Sequence, residues 1–299
     1  MIESFENKAE RLLSFEDQWK KNESEKVLID GKEIEVQDIY PKDQKTKIPV
    51  IIGLGWSETP DAHKGNIKIM SEQGRRVISP NSPHGIDTEK IENYPEIELR
   101  KMTALIKTLE AKDVEKADIV VHSEGSIFSV MAAYLYPERF RNLVLVDPAG
   151  MIGKDNLPRL ASGFSIDLIK QIISEMTKEK PTKDQTTGGG PLDALKAANV
   201  LIKSPLQAIR SVFAIANSDI RNMLKSIKEK GIGISVIHPV DDRAFPMEKM
   251  QEALGVEHLD GFYSVKGSHN SYFLDPKPYT LLIDNALDDL EKKSKERLI

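Results

Sequence analysis

The chain predicts an α/β fold, a mostly parallel central sheet with helices on both faces. Three observations carry this. From residue 48 onward short apolar runs alternate with amphipathic runs at helical spacing, as in strands joined by crossover helices. One apolar run, 117–122, passes straight into an amphipathic run through a turn holding Ser123. The length of 299 residues is enough to bury a large core in one domain and still carry an insertion.

Taken in order, Ile2, Phe5, Ala9, Leu12, Leu13 and Trp19 fall near helical spacing. Residues 2–21 are expected to form an amphipathic helix whose apolar stripe packs on the core; a membrane or partner contact is the alternative. The segment from Lys26 to Val36 alternates on either side of Asp30-Gly31, the pattern of a β-hairpin. Strands are then expected near 48–54, 75–79, 117–122, 142–147, 232–238 and 260–265. Helices are expected near 64–74, 90–111, 125–136, 246–254 and 277–294. Residues 151–230 break this rhythm, with helical patterns at 165–177 and 205–227 and no buried strand. They are expected to form a helical cap over a core made of residues 1–150 and 231–299. Inside the cap, 178–191 is polar and includes Gly188, Gly189 and Gly190; it reads as a mobile loop, either a gate over the site or a solvated segment.

Chemistry concentrates where strands end. Ser123 sits between an apolar strand and a helix, the layout of a nucleophile elbow, in which a sharp turn lifts the hydroxyl clear of the sheet. A serine there can also be only a helix cap. The strand at 232–238 runs into Val240-Asp241-Asp242-Arg243-Ala244-Phe245-Pro246, where a carboxylate could reach a histidine on the next loop or merely cap the helix near Pro246. After the following strand, Gly267-Ser268-His269 offers that histidine. The chain order is Ser, Asp, His. Asp147, at another strand end, is an alternative acid. His122 is expected to point away from its neighbour Ser123, and His63, His84, His238 and His258 lack the spacing of a metal site.

Several stretches together resemble the α/β-hydrolase superfamily, over most of 48–150 and 231–290. Pro49-Val50-Ile51-Ile52-Gly53-Leu54-Gly55-Trp56-Ser57 is similar to that family's strand and oxyanion loop. Arg76 to Gly85 resembles the next strand and its turn, and Arg141 to Gly150 the strand leading to the cap. Pro239-Val240-Asp241-Asp242-Arg243-Ala244-Phe245-Pro246 is similar to the acid loop and selects Asp242, while Gly267-Ser268-His269 with Asp275-Pro276 matches the histidine loop. Three positions depart: Pro239 stands where the acid loop has glycine, Leu54 where the family usually has histidine, and Val121 where it has a small residue. A branched side chain there crowds the turn, with Gly125 and Ser126 as the expected relief.

The resemblance implies a Ser123–His269–Asp242 triad, with the backbone amides of Trp56 and Glu124 as the oxyanion hole. It implies a serine hydrolase acting on a small-molecule, ester-like substrate through an acyl-enzyme, with no metal or organic cofactor. Carbon–carbon bond hydrolysis, lactonase, thioesterase and aminopeptidase activities remain open on the same triad, and so does a ligand-binding receptor or interaction module on the same scaffold. Phe128, Met151, Phe164, Phe213 and Phe245 are candidates to line the pocket, and the Glu124 carboxylate to point into it.

Composition excludes other classes. The net charge of −5 gives no nucleic-acid footprint. The absence of cysteine excludes disulfides and thiolate chemistry. No apolar run approaches the roughly 20 residues of a membrane span. Glu3 and Glu6 stand where a secretory signal would be apolar, so a cytoplasmic location is expected. The oligomeric state is left open.

Overall fold

The computed structural model describes residues 10–24, 26–56, 58–81, 86–155, 160, 205–253 and 258–296. Eight strands form one sheet: β1 (Lys26–Ile29), β2 (Lys32–Ile39), β3 (Val50–Gly53), β4 (Val77–Pro80), β5 (Ala117–His122), β6 (Phe140–Val146), β7 (Gly233–Pro239) and β8 (Gly261–Val265). Their spatial order is β1-β2-β4-β3-β5-β6-β7-β8. The β1–β2 and β2–β4 pairs are antiparallel; every later pair is parallel. The hairpin turns at Asp30 and Gly31, with φ of 49° and 74°, and Ile29 pairs with Lys32, the two-residue loop expected of Asp-Gly.

The described helices are α1 (Phe15–Ser24), α2 (Lys64–Glu72), α3 (Glu96–Ala111), α4 (Gly125–Leu135), α5 (Pro205–Asn217), α6 (Arg221–Glu229), α7 (Met247–Ala253), α8 (Ser271–Leu274) and α9 (Pro276–Glu296). They cover both faces. Successive strand residues point to opposite sides, so Ile119, Val121, Leu143 and Leu145 pack with α3, α4 and α6, while Val120, Val144 and Val146 pack with α1, α2 and α9. Burial on two faces is why these strands read as continuous apolar runs rather than alternating ones.

Three expected elements differ. Within the described residues the expected 2–21 helix is interrupted: Glu10 is helical, residues 11–14 turn, and helix resumes at Phe15. Ser14 Oγ accepts the Asp17 amide at 3.2 Å and donates to the Asp17 carboxylate at 2.6 Å, a capping arrangement that begins a new helix. Leu12 is consequently 86 % exposed, whereas Trp19 is buried in the core. The helix expected from 90 starts at Glu96, because Pro95 is its N-cap in extended backbone (φ −61°, ψ 128°) and disfavours helix in the residue before it. The helical pattern at 205–227 divides into α5 and α6, where Ser218 Oγ donates to the Ile215 carbonyl at 2.8 Å and so competes with continuation. α6 buries Leu224 and Ile227 against the sheet layer. The pattern at 165–177, the 178–191 segment with Gly188–Gly190, and the turn with His84 and Gly85 lie outside the described residues.

Candidate active site

The centre of the sheet builds the site. β5 is fully buried, and the next residue, Ser123, takes φ of +50°. A side chain in that left-handed region costs roughly 1–3 kcal/mol and persists only where surroundings enforce it. Here the Ser123 amide donates to the Val146 carbonyl at 3.1 Å, and its own carbonyl accepts from Ala149 N–H at 3.1 Å and Ser126 Oγ at 2.6 Å. The turn is also pressed close to β3. A Cβ on Gly125 would stand 2.5 Å from the Gly53 carbonyl oxygen, and one on Gly53 would stand 2.7 Å from Val121 Cγ1. Glycine at 53 therefore accommodates Val121, opposite it in register, and glycine at 125 lets the turn approach β3.

His269 lies over this turn. Its Nε2 is 3.0 Å from Ser123 Oγ and its Nδ1 3.1 Å from Asp242 Oδ2, in hydrogen-bonding geometry. All three residues are buried. The acid loop fixes Asp242 through its other oxygen, Oδ1, which accepts the amides of Ala244 at 2.6 Å and Phe245 at 3.0 Å. Asp241 is exposed. The Phe245 ring meets His269 edge-on, with centroids 5.3 Å apart.

A second carboxylate stands beside the first. Asp147 Oδ2 is 2.9 Å from the same His269 Nδ1, and its Oδ1 is 3.1 Å from His238 Nδ1. Neither oxygen makes a hydrogen bond of acceptable direction. Asp147 is fully buried with φ of +52°, and β5–β6 pairing sets it beside Ser123. His238 donates from Nε2 to the Phe245 carbonyl at 2.9 Å. Burial pushes Asp242 up to about 7, with the Asp147 charge adding to it. Burial also opposes ionisation of Asp147, but the His269 charge outweighs it and holds Asp147 below its usual range. Burial alone would lower His269; the charges of Asp147 and then Asp242 carry it well above its usual value. Such a pair titrates jointly.

Beneath the imidazole lies a third carboxylate, which sequence reading did not single out. Glu58 accepts from Gly55 N–H at 2.6 Å and His63 Nε2 at 2.8 Å, and it contacts His122 Nδ1. His122 points away from Ser123 as expected, and its Nε2 donates to the His269 carbonyl at 2.9 Å. Burial opposes ionisation of Glu58, but the charges of His122 and His63 hold it below the carboxylate range.

The Glu124 carboxylate is turned to a cation among the described residues. It is buried 2.6 Å from Lys101 Nζ, which lies 3.8 Å from Glu98. Burial, opposed by Lys101 and reinforced by Glu124, pushes Glu98 well up. The Glu124 amide precedes the first intrahelical bond of α4 and so has no acceptor within that helix. Trp56 is half-buried in the loop after β3. Of the pocket candidates, Phe245 touches His269, Met151 is buried, and Phe128 lines a small cavity with Gly53, Leu54 and Lys101. Phe213 departs from expectation: it is 52 % exposed and lines a groove with Pro95, Arg100 and Arg210 that includes none of Ser123, Asp242 or His269. Phe164 lies outside the described residues.

Among the described residues, two donor sets are compact enough to share a cation, His122–Asp147–His269 and Asp147–His238–Asp242. Both draw on Asp147 and overlap the imidazole contacts above, so a cation there would compete for the atoms that hold His269. No described helix is long and apolar enough to cross a membrane.

Comparison with known proteins agrees with this architecture. Residues 50–172 match the family model described as alpha/beta hydrolase fold. A Mycobacterium phage D29 protein named as a non-heme haloperoxidase is 26 % identical over 275 residues, 88 % of this chain and 94 % of that protein. The 2-hydroxy-6-oxo-2,4-heptadienoate hydrolase of Pseudomonas putida is 26 % identical over 247 residues, 74 % of this chain and 80 % of that protein. The enol-lactonase of Burkholderia xenovorans LB400 superposes with a TM-score of 0.61 at 14 % identity, covering 88 % of this chain and all (100 %) of that one. Sheet order, the serine turn after β5 and the family match over residues 50–172 converge: the chain has the α/β-hydrolase fold.

Proposed function

We propose that the protein is a serine hydrolase that cleaves a carboxylic ester-like bond through an acyl-enzyme. The observation that carries this reading is His269, with Nε2 at 3.0 Å from Ser123 Oγ and Nδ1 at 3.1 Å from Asp242. Ser123 Oγ bonds to the substrate carbonyl carbon while its proton passes to His269 Nε2. The amides of Trp56 and Glu124 hold the resulting oxyanion; each such donor is worth about 10²–10³ in rate. The tetrahedral intermediate then collapses, the leaving oxygen departs and the same nitrogen returns the proton to it. Water, deprotonated by His269, then cleaves the acyl-serine bond and regenerates the hydroxyl. Asp242 holds the Nδ1–H tautomer and offsets the imidazolium charge. Residues 151–230 cap the site in this reading.

A fluorophosphonate probe is expected to label the wild type at Ser123, and Ser123→Ala to abolish labelling and hydrolysis of p-nitrophenyl esters. Labelling of the Ala variant would overturn the assignment. The relationship to the Pseudomonas putida hydrolase, 26 % over 247 residues, favours one second reading, carbon–carbon bond hydrolysis of a diketone acid by the same three residues. Turnover of such an acid at a kcat/KM above that of every ester tested would select it.

A further inference from the structure

Glu58 ties together two loops that the reaction needs in register. It sits on the loop after β3, its side chain only 9 % exposed. One oxygen, Oε2, accepts the amide of Gly55, the residue before Trp56, at 2.6 Å and His63 Nε2 at 2.8 Å. The other, Oε1, contacts His122 Nδ1, and Nε2 of that ring donates to the His269 backbone carbonyl at 2.9 Å. The connection runs from the loop of Trp56, through one carboxylate and one imidazole, to the backbone of His269. Each link has a defined direction. A carbonyl and an ionised carboxylate only accept, so both ring nitrogens of His122 donate, Nδ1 to Glu58 and Nε2 to the His269 carbonyl. The loop is shaped for the carboxylate as well. A Cβ on Gly55 would stand 2.8 Å from Glu58 Oε1, so glycine is what lets the side chain fold back over its own loop. The Tyr272 ring, on α8 just past His269, closes the other side, 5.1 Å from His63 and 5.4 Å from His122 between centroids.

We infer that Glu58 is a positioning residue: through His122 it sets the spacing between the oxyanion loop and the catalytic imidazole. This rests on the hydrolase reading above and assigns that site a strut. Glu58 reaches the His269 backbone through His122, so it acts through geometry. A misplacement of about 1 Å at a reacting centre can cost about a hundredfold in rate.

The test is a double-mutant cycle on the full chain, with p-nitrophenyl acetate as substrate and fluorophosphonate labelling to count competent sites. Glu58→Ala is expected to lower kcat per labelled site about a hundredfold, with KM changed less than about threefold. Glu58→Gln is the conservative rescue. Its amide oxygen can accept from Gly55 and His63 while its NH₂ donates to a neutral His122 Nδ1, so kcat is expected to return to within about fivefold of wild type. His122→Asn keeps a group near Glu58 but cannot reach the His269 carbonyl. It is expected to lose as much as Glu58→Ala, and the double variant no more than either alone, since both cut one connection. Wild-type kcat in Glu58→Ala, or losses that multiply in the double variant, would overturn the inference. If Glu58→Ala does not fold, His122→Asn and Glu58→Gln still decide it, because a strut predicts loss in the first and retention in the second. Failure of the wild type itself to label or turn over would count against the hydrolase reading, which separates the two failures.

Discussion

On one side of His269 two carboxylates crowd a single ring nitrogen; beneath it one carboxylate is shared among three partners. Asp147 and Asp242 lie 2.9 and 3.1 Å from Nδ1, and Asp147 accepts no hydrogen bond. Glu58 meets Gly55, His63 and His122. Burial pushes Asp242 up and the Asp147 charge adds to it; both carboxylates carry His269 up against burial, while the charges of His122 and His63 hold Glu58 down against it. Burial is common to both sides, so the partner count makes the difference. A crowded pair responds to pH across the working range; a saturated carboxylate stays ionised and acts as a fixed joint. The acid side therefore sets the protonation of the base, and the lower side its position.

The largest effect that would sharpen this contrast is expected from Asp242→Asn. The amide oxygen keeps the Ala244 and Phe245 amides, which turns its NH₂ toward His269 Nδ1. That nitrogen must then accept, Nε2 carries the proton, and the ring faces Ser123 in the wrong tautomer. A fall in kcat of about 10³–10⁴ is expected with p-nitrophenyl esters. Retention of more than a tenth of the activity would mean that Asp147 substitutes freely, and the division between a bonding and a merely charged carboxylate would fail.

Asp147→Asn separates charge from bonding, with a smaller effect on rate. Asparagine tolerates the left-handed backbone of this position, and no hydrogen bond is removed. His269 serves as base only when neutral, and its value is raised well above the ordinary one. In the wild type, kcat/KM therefore falls tenfold per pH unit below a limb above about pH 6.5, the ordinary histidine value, and is level above the limb. Removing the Asp147 charge weakens the attraction that favours the imidazolium, so the pKa falls and the limb moves to lower pH. At alkaline pH the variant is expected within about tenfold of wild type, and relative to its own plateau more active near pH 6. A pH profile of kcat/KM checks this; an unmoved limb would remove the electrostatic half of the comparison.

How much of this was legible beforehand follows from the range of each signal. Ser123, Asp242 and His269 stand at strand ends in a fixed order, and strand ends are set by apolar runs that a sequence displays. The hairpin at Asp30-Gly31 was equally local. Asp147 was visible as a strand-end carboxylate, but its distance from His269 depends on the pairing of β6 with β5 and β7, which periodicity does not rank. Glu58 and His63 carried no signal, since an acidic residue in a loop reads as solvated until His122 and Tyr272 close over it. The break between Glu10 and Phe15 is not legible in the spacing for another reason. Leu12 and Leu13 extend the helical spacing, yet Ser14 and Asp17 cap a new helix, and capping chemistry outranks an apolar stripe at a helix end.

The smallest effect on rate is expected from His63→Leu. It removes one of the three partners of Glu58 while leaving Gly55, His122 and the connection to His269 in place. His63 is fully buried and its ring packs against Tyr272, with centroids 5.1 Å apart, so a leucine keeps most of the apolar contact but leaves Glu58 Oε2 with one donor. The loss of a buried donor to a charged acceptor costs about 1–3 kcal/mol of stability, to be read as a lower denaturant midpoint at unchanged m-value. Because His63 bonds to Glu58 and packs on Tyr272, on the side of His269 away from the acid loop, the pH limb of kcat/KM is expected to stay where it is in the wild type. A limb that moved with His63→Leu as far as with Asp147→Asn would show the two sides of His269 to be one electrostatic system, and the distinction between charge and position would lose its physical basis.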